Sequence, residues 1–265
     1  MCGLLDVKRS RELSEGGHVL LSRFAPEGGE EMLLATHPDG TGFIGEPYPF
    51  PGAEIQRRPD ERRWLVVDHV WDVINLPAWP IRVWRVTDVV PAPAEEQVAP
   101  WYTRASALRI VEELDAWRVF GEHGWKVAAI IERSAAIDRD DAAALANGRE
   151  DGAGDAYNRA WETWRQRGPA HGSPIGRGLI LVDRAVQRAA KAIDLSLFKF
   201  DPVDQVDVLN DRTWIRASHA CLEAALAFGA PDLVPRADAG VMTAAWRARF
   251  NSPRTEATDR GGPTP

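Results

Sequence analysis

The sequence predicts an α+β protein, with a β-rich domain over residues 1–90 built on a mixed or antiparallel sheet, followed by an α-helical domain of six to seven helices over 101–250. Three observations carry this expectation. Segments rich in β-branched and aromatic residues are concentrated in the first ninety positions. Apolar residues spaced three and four apart become the rule only after position 100. Between them, Pro91–Pro100 (PAPAEEQVAP) has the composition of a linker, with three prolines and two acids. Strands and helices segregated along the chain in this way argue against an alternating α/β fold.

In chain order, His18–Ala25 and Glu31–His37 read as strands flanking Pro26-Glu-Gly-Gly29, whose glycines supply the positive φ that a hairpin turn needs. A second turn, Pro38-Asp-Gly-Thr41, leads to a short strand at 42–45. In EPYPFPG (46–52) three alternating prolines remove backbone donors, which predicts an irregular edge segment. Trp64–Val70 and Ile81–Val90 are the next strands, with a helical turn at Trp71–Leu76 between them.

Helices are predicted from Thr103, as N-cap, to about Phe120, and then at Trp125–Ile137 and Asp155–Arg167. Further helices follow at Leu179–Ile193, at Pro202–Leu209 with Asp201 as cap, at Thr213–Phe228 ending in Gly229, and at Ala237–Arg249. Residues 251–265 have little to bury, and a disordered tail is expected.

Composition bounds the function. A net charge of −7 speaks against a broad nucleic-acid footprint. The basic run QRRPDERR (56–63) is interrupted by acids and reads as a solvated face. No stretch approaches 18 uninterrupted apolar residues and the start lacks a signal-peptide pattern, so a cytoplasmic protein is expected, neither exported nor membrane-spanning. Two cysteines form no disulfide framework. Of the 32 basic residues, 28 are arginine, the bias of GC-rich bacterial coding.

Chemistry is sparse. Removal of Met1 would leave Cys2 with its thiol beside a free α-amine, the nucleophile and base of an N-terminal-nucleophile enzyme. Met1-Cys2-Gly3 and the apolar residues after it resemble the opening of class II glutamine amidotransferases. That resemblance spans about five residues and implies an amidohydrolase using Cys2. The Arg-Gly-Pro-Asp and Asn-Gly segments of that family are absent, and a helical second half departs from its four-layer sandwich.

A second catalytic alternative is a divalent-metal site in the β-rich domain from His37, Asp39, Asp68 and His69. Adjacent strand residues point to opposite faces, so Asp68 and His69 share a pocket only across a bulge. These residues form no ligand set specific enough to imply a cofactor or metal.

His219 and Cys221, two apart on a helix, diverge and do not make a nucleophile–base pair. The glycine-rich segment Gly172–Gly178 lacks the Lys-Ser/Thr of a Walker loop and reads as an interhelical loop. The acidic stretch 138–155 lacks the EF-hand order and reads as helix caps with a solvated, mobile loop.

The unusual feature is eleven tryptophans. Most are expected to pack cores, while Trp79, Trp84 and Trp101 are the candidates for an aromatic binding surface. Trp79 stands out because prolines flank its segment. The expectation is therefore a non-enzymatic binding protein of the immunity, regulatory or scaffold kind. Its partner is an unidentified protein or small molecule, and nucleic acid is disfavoured.

Overall fold

The computed structural model describes residues 32–39, 52, 54–56, 64–67, 79–97, 103–167 and 173–250. It has the predicted α+β layout, an antiparallel sheet followed by helices. Five strands form the sheet: β1 (Met32–Thr36), β2 (Glu54–Gln56), β3 (Trp64–Val67), β4 (Arg82–Pro91) and β5 (Thr103–Leu114). Their order is β2-β5-β3-β1-β4, and β5 also pairs with β4, so β1, β3, β5 and β4 close into a ring.

Alternation along the strands explains why both faces of this ring are apolar. Leu34, Val66, Trp84, Val86, Ala105, Leu108 and Ile110 fill its inside. The opposite parity, Leu33, Ala35, Ile81 and Val83, joins the helical core, so apolar packing is continuous from sheet to helices.

The helix expected at Thr103–Phe120 is instead strand β5 and a 3₁₀ segment, Ala116–Phe120. Bulges account for the misleading spacing. The register with β4 slips between Val90/Pro91 and between Arg85/Val86, which places extra residues in β5 near Ser106 and Val111. The buried set Ala105, Leu108, Ile110 thereby acquires a step of three that imitates a helix. A third slip lies in β4, where Asp88 takes φ 51° and its carboxylate meets Arg109 at 2.6 Å. Within the expected linker, β4 runs to Pro91 and Ala94–Glu96 forms a 3₁₀ turn. Gln97 ties this turn to Ala92 and Arg104 through three hydrogen bonds.

Six helices follow among the described residues: α1 (Gly124–Ser134), α2 (Arg139–Gly148), α3 (Ala153–Arg167), α4 (Ser173–Ile193), α5 (Arg212–Gly229) and α6 (Arg236–Phe250). Helix α2 corrects the expected mobile loop over 139–148. Asp138 caps it, accepting from the Asp141 N–H at 2.7 Å in a capping box. Ala142, Leu145 and Ala146 give it the buried i, i+3, i+4 face. Asp141 is itself buried and receives Arg249 Nε at 2.5 Å.

The glycine-rich segment is likewise not a loop from 173 on, because α4 begins six residues earlier than expected. Gly178 and Gly229 let α4 and α5 approach Val127 of α1. A Cβ at either position would lie 2.6 or 2.5 Å from a Val127 methyl.

The helix expected at Pro202–Leu209 is a hairpin of β6 (Phe198–Asp201) and β7 (Val206–Leu209). Asp201 does accept backbone N–H groups, from Val203 at 2.8 Å and Asp204 at 3.4 Å, as a cap would. The chain then turns back through Gln205 at φ 56°, and the alternating Val206-Asp-Val208 pairs with β6.

Candidate functional site

Helix α4 places Arg184, Arg188 and Lys191 along one face, three and four residues apart. The opposite face buries Val182, Ala185, Val186, Ala189 and Ala190. After α4 the chain is turned by a 3₁₀ segment, Leu195–Leu197, capped by Asp194, whose carboxylate accepts from the Ser196 N–H at 2.9 Å. This turn sets the β6–β7 hairpin beside the basic face.

Register decides which hairpin residues face α4. Phe198 pairs with Leu209 and Phe200 with Asp207, so these four share one face of the ribbon. Lys199, Asp201, Val206 and Val208 occupy the other. Lys191 Nζ lies 2.8 Å from Asp207 Oδ2 and 5.7 Å from the Phe198 ring centre, which fixes the ribbon against the helix. Between them lies an open groove of about 270 Å³ with Leu181 and Phe198 as apolar surface and Arg184 and Arg188 on its wall. Both arginines are exposed, and neither has an ion-pair partner among the described residues.

On both faces of the hairpin and beside it, apolar side chains stand in water. Leu195 is 66% exposed, Phe200 53%, Val203 85%, Val206 48% and Val208 42%. Ile193 and, on α4, Ile180 are exposed as well. Most of the large exposed apolar side chains among the described residues thus fall in 193–208.

The residues singled out by sequence lie elsewhere. Trp79 is buried, with its ring 4.9 Å from Phe120 and its Nε1 donating to Glu132 Oε1 at 3.3 Å, so it joins the sheet region to α1. Trp84 lies inside the strand ring. Its Nε1 donates to Thr36 Oγ1 at 3.1 Å, Thr36 Oγ1 donates to the His37 carbonyl, and the Arg82 guanidinium covers the ring at 4.4 Å. In both places nearly all of the aromatic surface is spent on packing. Trp101 and Cys2 lie outside the described residues, as do Asp68 and His69. His37 is half-buried at the end of β1. No group of three or more His, Cys, Asp or Glu among the described residues is placed to hold a metal ion.

The helices hold a buried polar cluster. Arg149 makes a two-pronged pair with Glu223, with Nε and Nη2 within 2.5–3.0 Å of the carboxylate. Ser218 donates to Asp183 at 2.7 Å, and the second Asp183 oxygen accepts from Gln187. Burial and the nearby Arg149 hold the His219 pKa below its usual value, while Asp183 acts in the opposite sense. Cys221 is fully buried, and burial pushes its thiol up to about 12. At neutral pH it is a core filler. Arg149 and Glu223 satisfy each other, as do Ser218, Gln187 and Asp183, whereas the hairpin groove presents charge without an ion-pair partner among the described residues together with apolar surface.

The hairpin face is hidden in the sequence because Asp201-Pro202 reads as a helix start, which predicts a helix over 202–209. The available signal was the alternation of Val206 and Val208 with Asp207 and of Phe198 and Phe200 with Lys199. Among the described residues no helix is long and apolar enough to cross a membrane. Compared with known proteins, the chain matches no family model, no curated protein and no solved structure.

Proposed function

We propose that this chain is a non-enzymatic binding protein of the bacterial cytoplasm that recognises a protein partner through the β6–β7 hairpin and its groove with α4. The observation that carries the proposal is the concentration of exposed apolar side chains at 193–208. Burying a Val, Leu or Phe side chain is worth about 1.5–3 kcal/mol, and contiguous exposed apolar surface marks interaction sites. A two-stranded ribbon is also marginal by itself in water. Covering it would stabilise both the ribbon and a complex.

Site-specific photo-crosslinking in cells that natively make the chain tests this. A photo-reactive residue at position 203 or 206 is expected to give a discrete adduct with one partner, and the same residue at exposed position 122 none. No adduct, or the same adducts from all three positions, refutes the proposal.

A further inference from the structure

We infer that the groove between α4 and the hairpin takes an extended acidic segment of another protein, its carboxylates at alternate positions on Arg184 and Arg188 and an apolar side chain against Leu181 and Phe198. The inference rests on the binding role proposed above and specifies its partner.

Charge is the first argument. The chain carries a net charge of −7, and two cations beside the groove are engaged, Lys191 with Asp207 and Arg139 with Asp194. Arg184 and Arg188 stand one turn apart with no ion-pair partner among the described residues. Like charges at this spacing repel, and a pair of carboxylates would relieve the repulsion.

Spacing is the second. Four residues of helix advance about 6 Å, and alternate residues of an extended strand are about 6.5 Å apart on one face. A segment with acids at i and i+2 therefore presents its carboxylates in register with both guanidinium groups.

The neighbouring chemistry separates this occupant from others. A free phosphate would satisfy the arginines but leave Phe198 and Phe200 uncovered. Nucleic acid, charged along its whole length, would also run against Asp201 and Asp204 at the hairpin turn, whereas two carboxylates set on Arg184 and Arg188 need not extend that far. An acidic segment with interleaved apolar residues uses both kinds of surface.

The test is selection of a displayed library of random dodecapeptides on the full chain and, in parallel, on the Arg184→Glu/Arg188→Glu variant. Both substitutions are exposed, and equal urea midpoints verify the fold. The expected result is enrichment of peptides with Asp or Glu at i and i+2 beside an aliphatic or aromatic residue. A synthetic, fluorescent copy of such a peptide should bind the wild-type chain saturably and the charge-reversed variant at least tenfold more weakly.

Enrichment without acidic bias, or equal binding by the variant, overturns the inference. If those peptides are also lost on Phe200→Ser, the binding role stands and only the acidic occupant falls. Displacement of the peptide by millimolar pyrophosphate overturns it in favour of a general anion site. Absence of any enrichment overturns it as well, and the cross-linking experiment then judges the binding role separately.

Discussion

Alanine at position 178 probes the close approach of α4 to α1. The new Cβ would lie 2.6 Å from Val127 Cγ1 and 3.3 Å from Phe120 Cδ1, whereas non-bonded carbons prefer about 3.5–4.0 Å. Overpacking of this kind costs about 1–3 kcal/mol, and the gain in helix propensity from Gly to Ala returns about 1 kcal/mol. Gly178→Ala is therefore expected to destabilise the chain by about 0–2 kcal/mol. The sign should reverse once the obstructing methyl is gone. In a Val127→Ala background, itself destabilised by about 2 kcal/mol, the same substitution should stabilise by up to about 1 kcal/mol, the remaining Phe120 contact at 3.3 Å taking part of the gain. Urea denaturation of the four variants gives a double-mutant cycle, with an expected coupling of about 1–3 kcal/mol. Additivity within about 0.5 kcal/mol, or a stabilising Gly178→Ala in the wild-type background, would refute the view that this glycine sets the helix spacing.

The Arg149–Glu223 pair should behave as a unit. Glu223→Gln or Arg149→Met alone strands a buried partner, with an expected loss of about 3–5 kcal/mol, while the double change to Gln and Met should cost less than the sum, as denaturation midpoints will tell. Cys221 should resist a thiol reagent at pH 7.5 in the native chain, as peptide mapping by mass spectrometry will read. Rapid labelling of that thiol under native conditions would contradict its burial. Its pH signature has a definite sign. The native thiol titrates near 12 and the unfolded one near 9, so the thiolate forms first in the unfolded chain and stability falls as pH rises through that window. At pH 10 the loss relative to Cys221→Ala should reach about 1.4 kcal/mol, and parallel pH–stability curves for the two proteins would contradict it.

Local pattern predicted elements well wherever one period ran unbroken. Strand β4 and helices α1, α3, α5 and α6 coincide with the apolar spacing that predicts them to within a few residues. Pattern misled where local geometry altered the period. Bulges near Ser106 and Val111 turned a strand into an apparent helix, and the cap-like Asp201 followed by Pro202 closes a hairpin instead of opening a helix. Helix α2 was hidden because its acids are structural: Asp138 caps it and Asp141 is buried against Arg249. The candidate site was less legible. A tryptophan in the sequence does not disclose its exposure, and Trp79 and Trp84 proved to be packing residues.

By itself the sequence determined the α+β class and most helix positions, because amphipathic periodicity and end signals are local properties of the chain. It also set the acidic net charge. Only the tertiary structure decided which apolar residues remain in water and which arginines lack an ion-pair partner among the described residues. Those outcomes depend on contacts between segments far apart in the chain. The closing of the strands buries Trp84, the docking of α4 spends one of its faces, and the turn after Ile193 carries Phe198 and Asp207 back to Lys191. The groove that sets Arg184 and Arg188 beside Phe198 exists only once those contacts have formed.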